Sequence, residues 1–196
     1  MKTRSLNSNL SNFIKAEVLY NGAGGTINLT IPNEFKNGTL IVQASHDKRN
    51  PYACSINGKT AVYTYRGTTY LQSYYGMDVD IFQLNGDTSL SVAVQCSGFT
   101  VTVIDKKVTP SYISTEASLN ASKGEDYLCI YTRDYRNVMN VSVRGVSCDN
   151  LRSAFGSAEA LYGVYGTWYC HNCATIRSMK NTTITIAGDL ILWLKI

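Results

Sequence analysis

Charged side chains are scarce in this chain of 196 residues. They make up 16% of the sequence, against roughly 25% in an average soluble domain, and the formal net charge is only +4. The basic residues form no continuous block of the kind that binds a phosphate backbone. The sequence therefore predicts no nucleic-acid partner.

Long apolar runs are missing as well. No stretch approaches the roughly 20 apolar residues needed to cross a bilayer, and the opening "MKTRSLNSNLSNF" has basic residues without the apolar segment of a secretory signal. We therefore expect no membrane partner and no export signal, with synthesis in a cytoplasm. The apolar fraction of 44% is too high for a disordered chain, so a packed core is expected.

Histidine is rare, and the patterns that accompany catalysis are missing. His46 and His171 are the only two histidines, and no serine or cysteine lies in a nucleophile-elbow motif. The glycine-rich "NGAGGT" (21–26) leads into a strand-like segment, so we interpret it as a turn and not as a phosphate-binding loop. The sequence predicts a protein that is not an enzyme, with no catalytic residue and no cofactor.

Six cysteines are present, and one pair of them resembles part of a metal or redox site. In a reducing compartment free cysteines usually act as small buried hydrophobes, which is the interpretation favoured for Cys54, Cys96, Cys129, Cys148, Cys170 and Cys173. In "TWYCHNCATI", Cys170 and Cys173 have zinc-ligand spacing, but a second such pair is lacking. If the segment is a strand, residues three apart face opposite sides. We predict no metal site, with zinc binding and redox chemistry as the alternatives.

Two carboxylates also have a spacing that could carry chemistry. Asp78 and Asp80 alternate with apolar residues in "MDVDI", and two carboxylates on one face of a strand could act as an acid–base pair. The simpler expectation is that Met77, Val79 and Ile81 face the core, which leaves both aspartates in solvent.

The rest of the pattern predicts strands almost throughout. Short runs of β-branched and aromatic residues alternate with Gly, Asn, Asp and Ser, and Asn-Gly pairs mark hairpin turns. One helix is predicted, over Asp149–Gly163. In the first half, the predicted strands are Thr26–Ile31, Thr39–Ser45, Thr60–Tyr65, Met77–Leu84, Thr88–Val94 and Phe99–Ile104. The expected fold class is all-β.

An internal repeat runs through the chain. The segment "LIVQASHDKRN" (40–50) is similar to "YLCIYTRDYRN" (127–137). Further on, "YYGMDVDIFQLNGDTSLSV" (74–92) aligns with "WYCHNCATIRSMKNTTITI" (168–186) at a constant offset. Order and spacing persist although identity is low, which is typical of a duplicated structural unit.

The repeat predicts the domain organisation. It places Cys173 at the position that Val79 has in the first copy. We expect two tandem antiparallel β-sandwich domains, Ig-like or jelly-roll-like, that arose by internal duplication and span 1–107 and 108–196. The segment Ile104–Pro110 contains two lysines and a proline, and we interpret it as a short linker.

Tyrosine is abundant, with 14 tyrosines and two tryptophans in the chain. Such side chains often fill cross-strand positions of a sheet, but they also suit subunit interfaces and sugar-binding faces. Two aromatic clusters supply the candidate contact residues for an interface or a glycan: Tyr74, Tyr75, Tyr162, Tyr165 and Trp168.

Each half resembles a β-sandwich repeat found in structural proteins of tailed bacteriophages. The shared features are the strand type "LIVQASHDKRN" or "YLCIYTRDYRN", the middle segment around "NGK" or "RGV", the strand "VDIFQL" or "CATIRS", and the closing "TSLSVAV" or "NTTITI". The resemblance implies a virion protein that decorates the capsid, forms a head fibre or associates with the tail. Its implied partners are capsid or tail proteins of the same virion and further copies of itself. The alternative is a carbohydrate-binding module or adhesin that recognises a cell-surface glycan.

Overall fold

The computed structural model describes residues 15–47, 52–68, 75–114, 118–134, 141–143, 169–177, 181–186 and 190–195. Regular structure in these residues consists of strands only, without a helix, which confirms the predicted all-β class. The helix predicted over Asp149–Gly163 lies outside the described residues. Within the described ranges, the structure has no helix with the length and apolar character needed to cross a membrane.

Thirteen strands are formed by the described residues. In the first half they are β1 (Ala16–Thr30), β2 (Thr39–Asp47), β3 (Ala53–Ile56), β4 (Tyr63–Thr68), β5 (Tyr75–Gln83) and β6 (Ser89–Ile104). In the second half they are β7 (Thr109–Ser114), β8 (Ser118–Ala121), β9 (Asp126–Asp134), β10 (Val141–Val143), β11 (Tyr169–Arg177), β12 (Thr182–Ile186) and β13 (Leu190–Lys195).

Two of the sequence predictions were wrong along the long strands β1 and β6. The segments expected as separate strands over 88–94 and 99–104 form the single strand β6, and "NGAGG" lies inside β1 instead of forming a turn. The register between the two strands shifts between Ala23 and Gly25, and a Cβ on Gly24 would lie 2.2 Å from the carbonyl oxygen of Cys96. The glycines therefore form a β-bulge in which the two backbones approach closely. Glycine is favoured in both turns and bulges, so the pattern alone does not distinguish them.

The first half forms one antiparallel six-stranded sheet that bends over its own core. The strand order is β1-β6-β2-β5-β4, and β3 pairs with the first part of β6 while β2 pairs with its last part. Val92 and Ile56 from the β3 side share one buried cluster with Val42, Phe82 and Val101 from the β2 side. The sheet therefore curls so that its two parts enclose an apolar core.

The central strands β2 and β5 are buried on both faces. Val42 and Phe82 point into this core, whereas Ile41, Val79 and Ile81, which point to the opposite face, are equally buried. Simple alternation of buried and exposed positions therefore does not hold for these two strands.

The second half repeats the strand order of the first. Its four-stranded sheet has the order β7-β13-β9-β11, which matches β1-β6-β2-β5, and its three-stranded sheet β10-β12-β8 matches the neighbours β3-β6-β1. The long strand β1 thus corresponds to β7 and β8, and the long strand β6 corresponds to β13 and β12. The pairing register matches as well, because Gln43 lies opposite Val79 and the aligned residues Ile130 and Cys173 lie opposite each other.

The segment that joins the two halves is attached to the first one. The Thr39 hydroxyl donates to the Lys106 carbonyl oxygen at 2.6 Å and accepts from the Val108 amide at 3.1 Å. Val108 is buried, and β7 begins with the next residue. The division into domains 1–107 and 108–196 stays a prediction, and these contacts place Val108 with the first half.

Candidate functional site

Asp78 and Asp80 lie on the core side of β5, which corrects the expectation that they face solvent. Asp78 is 0% exposed and Asp80 is 3% exposed. Both point to the same side as the core residues Phe82, in the same strand, and Leu84, just after its end. The expectation was wrong because the sheet curls over this face and buries it, while Val79 and Ile81 are buried on the other face.

Arg66 contacts both members of this buried acidic pair from the neighbouring strand β4. It lies directly opposite Asp78 in the register, with Nε 3.5 Å from Asp78 Oδ1. Its Nη2 donates to both oxygens of Asp80, at 2.9 and 3.1 Å, and its Nη1 donates to the carbonyl oxygens of Tyr65 and Val79. A guanidinium has five N–H groups on three nitrogens, and each of these nitrogens faces an oxygen of the protein.

Tyr52, just before β3, completes the cluster from across the curled sheet. Its hydroxyl donates to Asp80 Oδ2 at 2.5 Å. Its ring lies under the guanidinium, with Arg66 Cζ 4.6 Å from the ring centroid, which is within cation–π range. Burial raises the pKa of Tyr52 far above its usual range, so the tyrosine stays a neutral hydrogen-bond donor to the carboxylate.

Two free thiols border the cluster. Cys54 and Cys96 are half-buried, and both line a surface groove beside Gly24 and Gly25. Burial raises the pKa of Cys54 to about 11, although a hydrogen bond with Tyr52 opposes this rise. Burial likewise raises the pKa of Cys96 to about 12. Both side chains are therefore neutral thiols near pH 7, as expected for cysteines in a structural role.

The geometry favours a structural role for this acidic cluster, because its carboxylates are buried. A general acid or base must come within hydrogen-bonding distance of its substrate, whereas the side chain of Asp78 is 0% exposed and that of Asp80 is 4% exposed. Arg66 is 45% exposed, but its nitrogens already contact the two carboxylates and two backbone oxygens. The arrangement fixes β3, β4 and β5 relative to one another.

A second polar cluster connects two strands of the second half. The hydroxyl of Tyr127 donates to Glu125 Oε2 at 2.5 Å and accepts from the Ser122 amide at 3.0 Å. Lys195 forms a salt bridge with the other oxygen of Glu125, and the hydrogen bond from Lys195 lowers the pKa of Glu125. These contacts join the start of β9 to the end of β13, which are paired strands.

The aromatic residues predicted as contacts fall almost entirely outside the described part of the chain. Tyr75 is the first residue of β5 and lies opposite Asp47 in the register. The four others, Tyr74, Tyr162, Tyr165 and Trp168, lie outside the described residues. Their role as interface or glycan contacts stays a prediction.

The cysteine pair Cys170 and Cys173 lies in a regular strand. β11 pairs with β9 without interruption from Tyr169 to Arg177, so the turn that a zinc knuckle needs between its two cysteines does not occur there. The predicted strand is confirmed. Among the described residues, no three His, Cys, Asp or Glu side chains are grouped so that they could hold a metal ion.

Sequence reasoning missed Arg66 and Tyr52, and it misjudged the two aspartates. One signal was available: in "MDVDIFQL" the positions of the aspartates continue in phase to Phe82 and Leu84, which indicates that this face is also buried. No local signal identifies Arg66 or Tyr52, because they meet the aspartates only through the pairing of β4 with β5 and the curl of the sheet.

Comparison with known proteins gave no match, whether with protein-family models, curated proteins or solved structures.

Proposed function

We propose that this chain is a non-enzymatic structural protein of a tailed bacteriophage virion, which binds other capsid or tail subunits. It consists of two tandem antiparallel β-sandwich domains, 1–107 and 108–196, produced by duplication. The observation that carries this proposal is the repeated strand order together with the matched register of Gln43–Val79 and Ile130–Cys173. A duplicated β-sandwich is what the resemblance to phage structural repeats implies.

The chemistry of the described polar residues supports a role in packing and docking. The acidic pair is buried beneath Arg66 and Tyr52, and the thiols of Cys54 and Cys96 are held in their neutral form. Groups in such surroundings stabilise a fold, whereas reactive groups are placed where a substrate can reach them.

The sheet edges offer surfaces for assembly. Among the described strands, β1 has only β6 as a neighbour and β4 has only β5. The unpaired backbone groups of an edge strand can pair with another chain, so both edges are suited to contacts with a virion subunit or a second copy. We expect a homo-oligomer, which light scattering coupled to size-exclusion chromatography measures.

The proposal is tested with the native particle. Labelled protein is mixed with cognate capsids and, separately, with tails, and binding is measured by co-sedimentation and located by negative-stain microscopy. We expect saturable binding to one of the two. Virions that contain no copy of the protein, together with no binding to either component, would show that the proposal is wrong.

A glycan array run in parallel distinguishes the alternative. Binding to a defined glycan that Trp168→Ala abolishes, without binding to capsids or tails, would identify a carbohydrate-binding module instead.

A further inference from the structure

The last five residues of β1, Thr26–Thr30, form an open edge of the first sheet. Among the described strands, β1 pairs with β6 alone, and the register between the two is unbroken along this stretch. The side chains of Thr26, Asn28 and Thr30 are exposed, whereas those between them pack on the core. The stretch is therefore a regular strand with one polar, exposed face.

The exposed residues are also those whose backbone groups point away from the sheet. In an antiparallel ladder, successive residues direct their N–H and C=O alternately toward the paired strand and away from it. The Ile31 amide donates to the Thr88 carbonyl oxygen at 2.9 Å, and this pair continues the register of β1 with β6. Counted back from Ile31, the backbone groups of Thr26, Asn28 and Thr30 therefore point outward.

This stretch lacks the residues that usually protect an exposed edge. Charged side chains and prolines discourage the addition of another strand, and Thr26–Thr30 contains neither. The stretch is limited at both ends, because the bulge between Ala23 and Gly25 precedes it. Pro32 follows it, has no N–H, and accepts the Phe35 amide with its carbonyl oxygen. The edge can therefore receive a partner strand of about five residues.

We propose that Thr26–Thr30 pairs with the same stretch of a second copy, antiparallel about a two-fold axis at Asn28. The segment "TINLT" has the same residue types in both directions, so this pairing is self-complementary, as a two-fold interface requires. It places threonine opposite threonine, an apolar residue opposite an apolar residue, and Asn28 opposite itself. Such cross-strand pairs stabilise a sheet, and the outward backbone groups form about six hydrogen bonds.

This inference deepens the homo-oligomer expected under the proposed function, because it names the surface that forms it. The other open edge, β4, has the charged and exposed Arg66, which disfavours strand addition. A contact of about five residues a side is far smaller than the roughly 20–30 residues a side of a stable interface. The dimer is therefore weak, and an assembly with many copies strengthens it by multivalency.

Sedimentation velocity of the full chain tests the dimer. The concentration is varied from about 1 μM to 1 mM, the range of weak association. We expect the average mass to rise from that of one chain toward that of two. A chain that stays monomeric throughout this range would overturn the inference.

A substitution at the two-fold axis faces itself, which allows a charge-exchange test. Asn28→Lys and Asn28→Asp each place like charges opposite one another, and each variant alone is expected to associate about fivefold more weakly than the wild type. An equimolar mixture places Lys opposite Asp and is expected to associate at least as tightly as the wild type. A mixture that associates no better than either variant alone would contradict the two-fold register.

Ser89→Lys is the matched control. Ser89 is exposed and lies on β6 opposite Thr30, one strand away from the edge, so this variant is expected to associate like the wild type. An equal loss in Ser89→Lys and Asn28→Lys would assign the effect to charge alone and overturn the inference. If the Asn28 variants fail to fold, Thr26→Lys/Thr30→Asp is expected to associate more tightly than Thr26→Lys/Thr30→Lys, and equal association of these two would also overturn it.

Co-sedimentation with cognate capsids and tails separates this inference from the proposed function. A monomeric chain that binds either component would overturn the inference alone, and if Asn28→Lys reduces that binding, the edge receives a virion subunit instead of a second copy. A dimer that Asn28→Lys weakens but that binds neither component would support the inference and count against the proposed function.

Discussion

Two side chains from two other parts of the chain, Arg66 and Tyr52, make the burial of the acidic pair tolerable. An isolated buried charge is strongly unfavourable, and it is accommodated only with a counter-charge and hydrogen bonds. Asp80 has both, since Arg66 provides the charge and Tyr52 a further donor. Removing one member of such a group is expected to destabilise the fold more than replacing the whole group with apolar residues.

The thiols of Cys54 and Cys96 give a prediction at the scale of single residues. With pKa values raised to about 11 and about 12, both are expected to react slowly with iodoacetamide at pH 7.5 in the native protein and rapidly after denaturation, because the thiolate is the reactive form. Mass-spectrometric mapping of the labelled cysteines measures this difference. Rapid native labelling of either residue at pH 7.5 would contradict it.

The raised pKa values of Cys54 and Cys96 also make the stability of the fold depend on pH. A thiol whose folded pKa lies above its ordinary value of 9.0 stabilises the fold fully below that value, and the contribution disappears as pH rises through the folded pKa. We expect these two cysteines to lower the free energy of unfolding between about pH 9 and pH 12, and Cys54→Ser/Cys96→Ser to reduce this alkaline decline.

At the scale of elements, β1 and β6 are the strands on which the fold depends. They pair along almost their whole lengths, and the bulge near Gly24 lets both strands follow the curl of the sheet. Because β6 also pairs with β2 and β3, distortion of this strand pair affects both parts of the core.

Gly24→Ala tests this bulge. Its Cβ would lie 2.2 Å from the Cys96 carbonyl oxygen, a backbone atom that cannot move without shifting β6, so a loss of roughly 1–3 kcal/mol in the free energy of unfolding is expected. Urea denaturation followed by circular dichroism provides the measurement. Thr26→Ala, at an exposed position on the same strand, is the control and is expected to change stability by less than about 0.5 kcal/mol. Equal effects of the two variants would mean that the close approach is not required.

At the scale of the whole molecule, the same sheet order appears in both halves, but the two halves differ in their polar clusters. The first half has its acidic pair, Asp78 and Asp80, buried between β3, β4 and β5. In the second half, Glu125, Tyr127 and Lys195 connect β9 with β13 nearer the surface. The described strands of the two halves therefore share an order but are fixed by different side chains, as expected when strand pairing rather than a particular motif specifies the fold.

A fragment of residues 1–108 tests the predicted domain boundary. All strand pairs of the first sheet lie within 16–104, and the bonds from Thr39 to Lys106 and Val108 close its end, so the fragment is expected to unfold cooperatively by itself. A fragment of 1–105 lacks these bonds and is expected to melt at a lower temperature. Differential scanning calorimetry measures both. An unfolded 1–108 fragment would show that the two halves do not fold as separate domains.

The sequence by itself determined the strand content and the repeat, because β-branched alternation and turn residues act over a few neighbours and leave a pattern that can be aligned. It also placed Cys170 and Cys173 in a strand. Only the tertiary structure decided that both faces of β5 are covered, since alternation defines two faces without saying what lies on each. The meeting of Arg66 and Tyr52 with Asp80 depends on strand pairing and on the curl of the sheet, which bring together residues up to 28 positions apart.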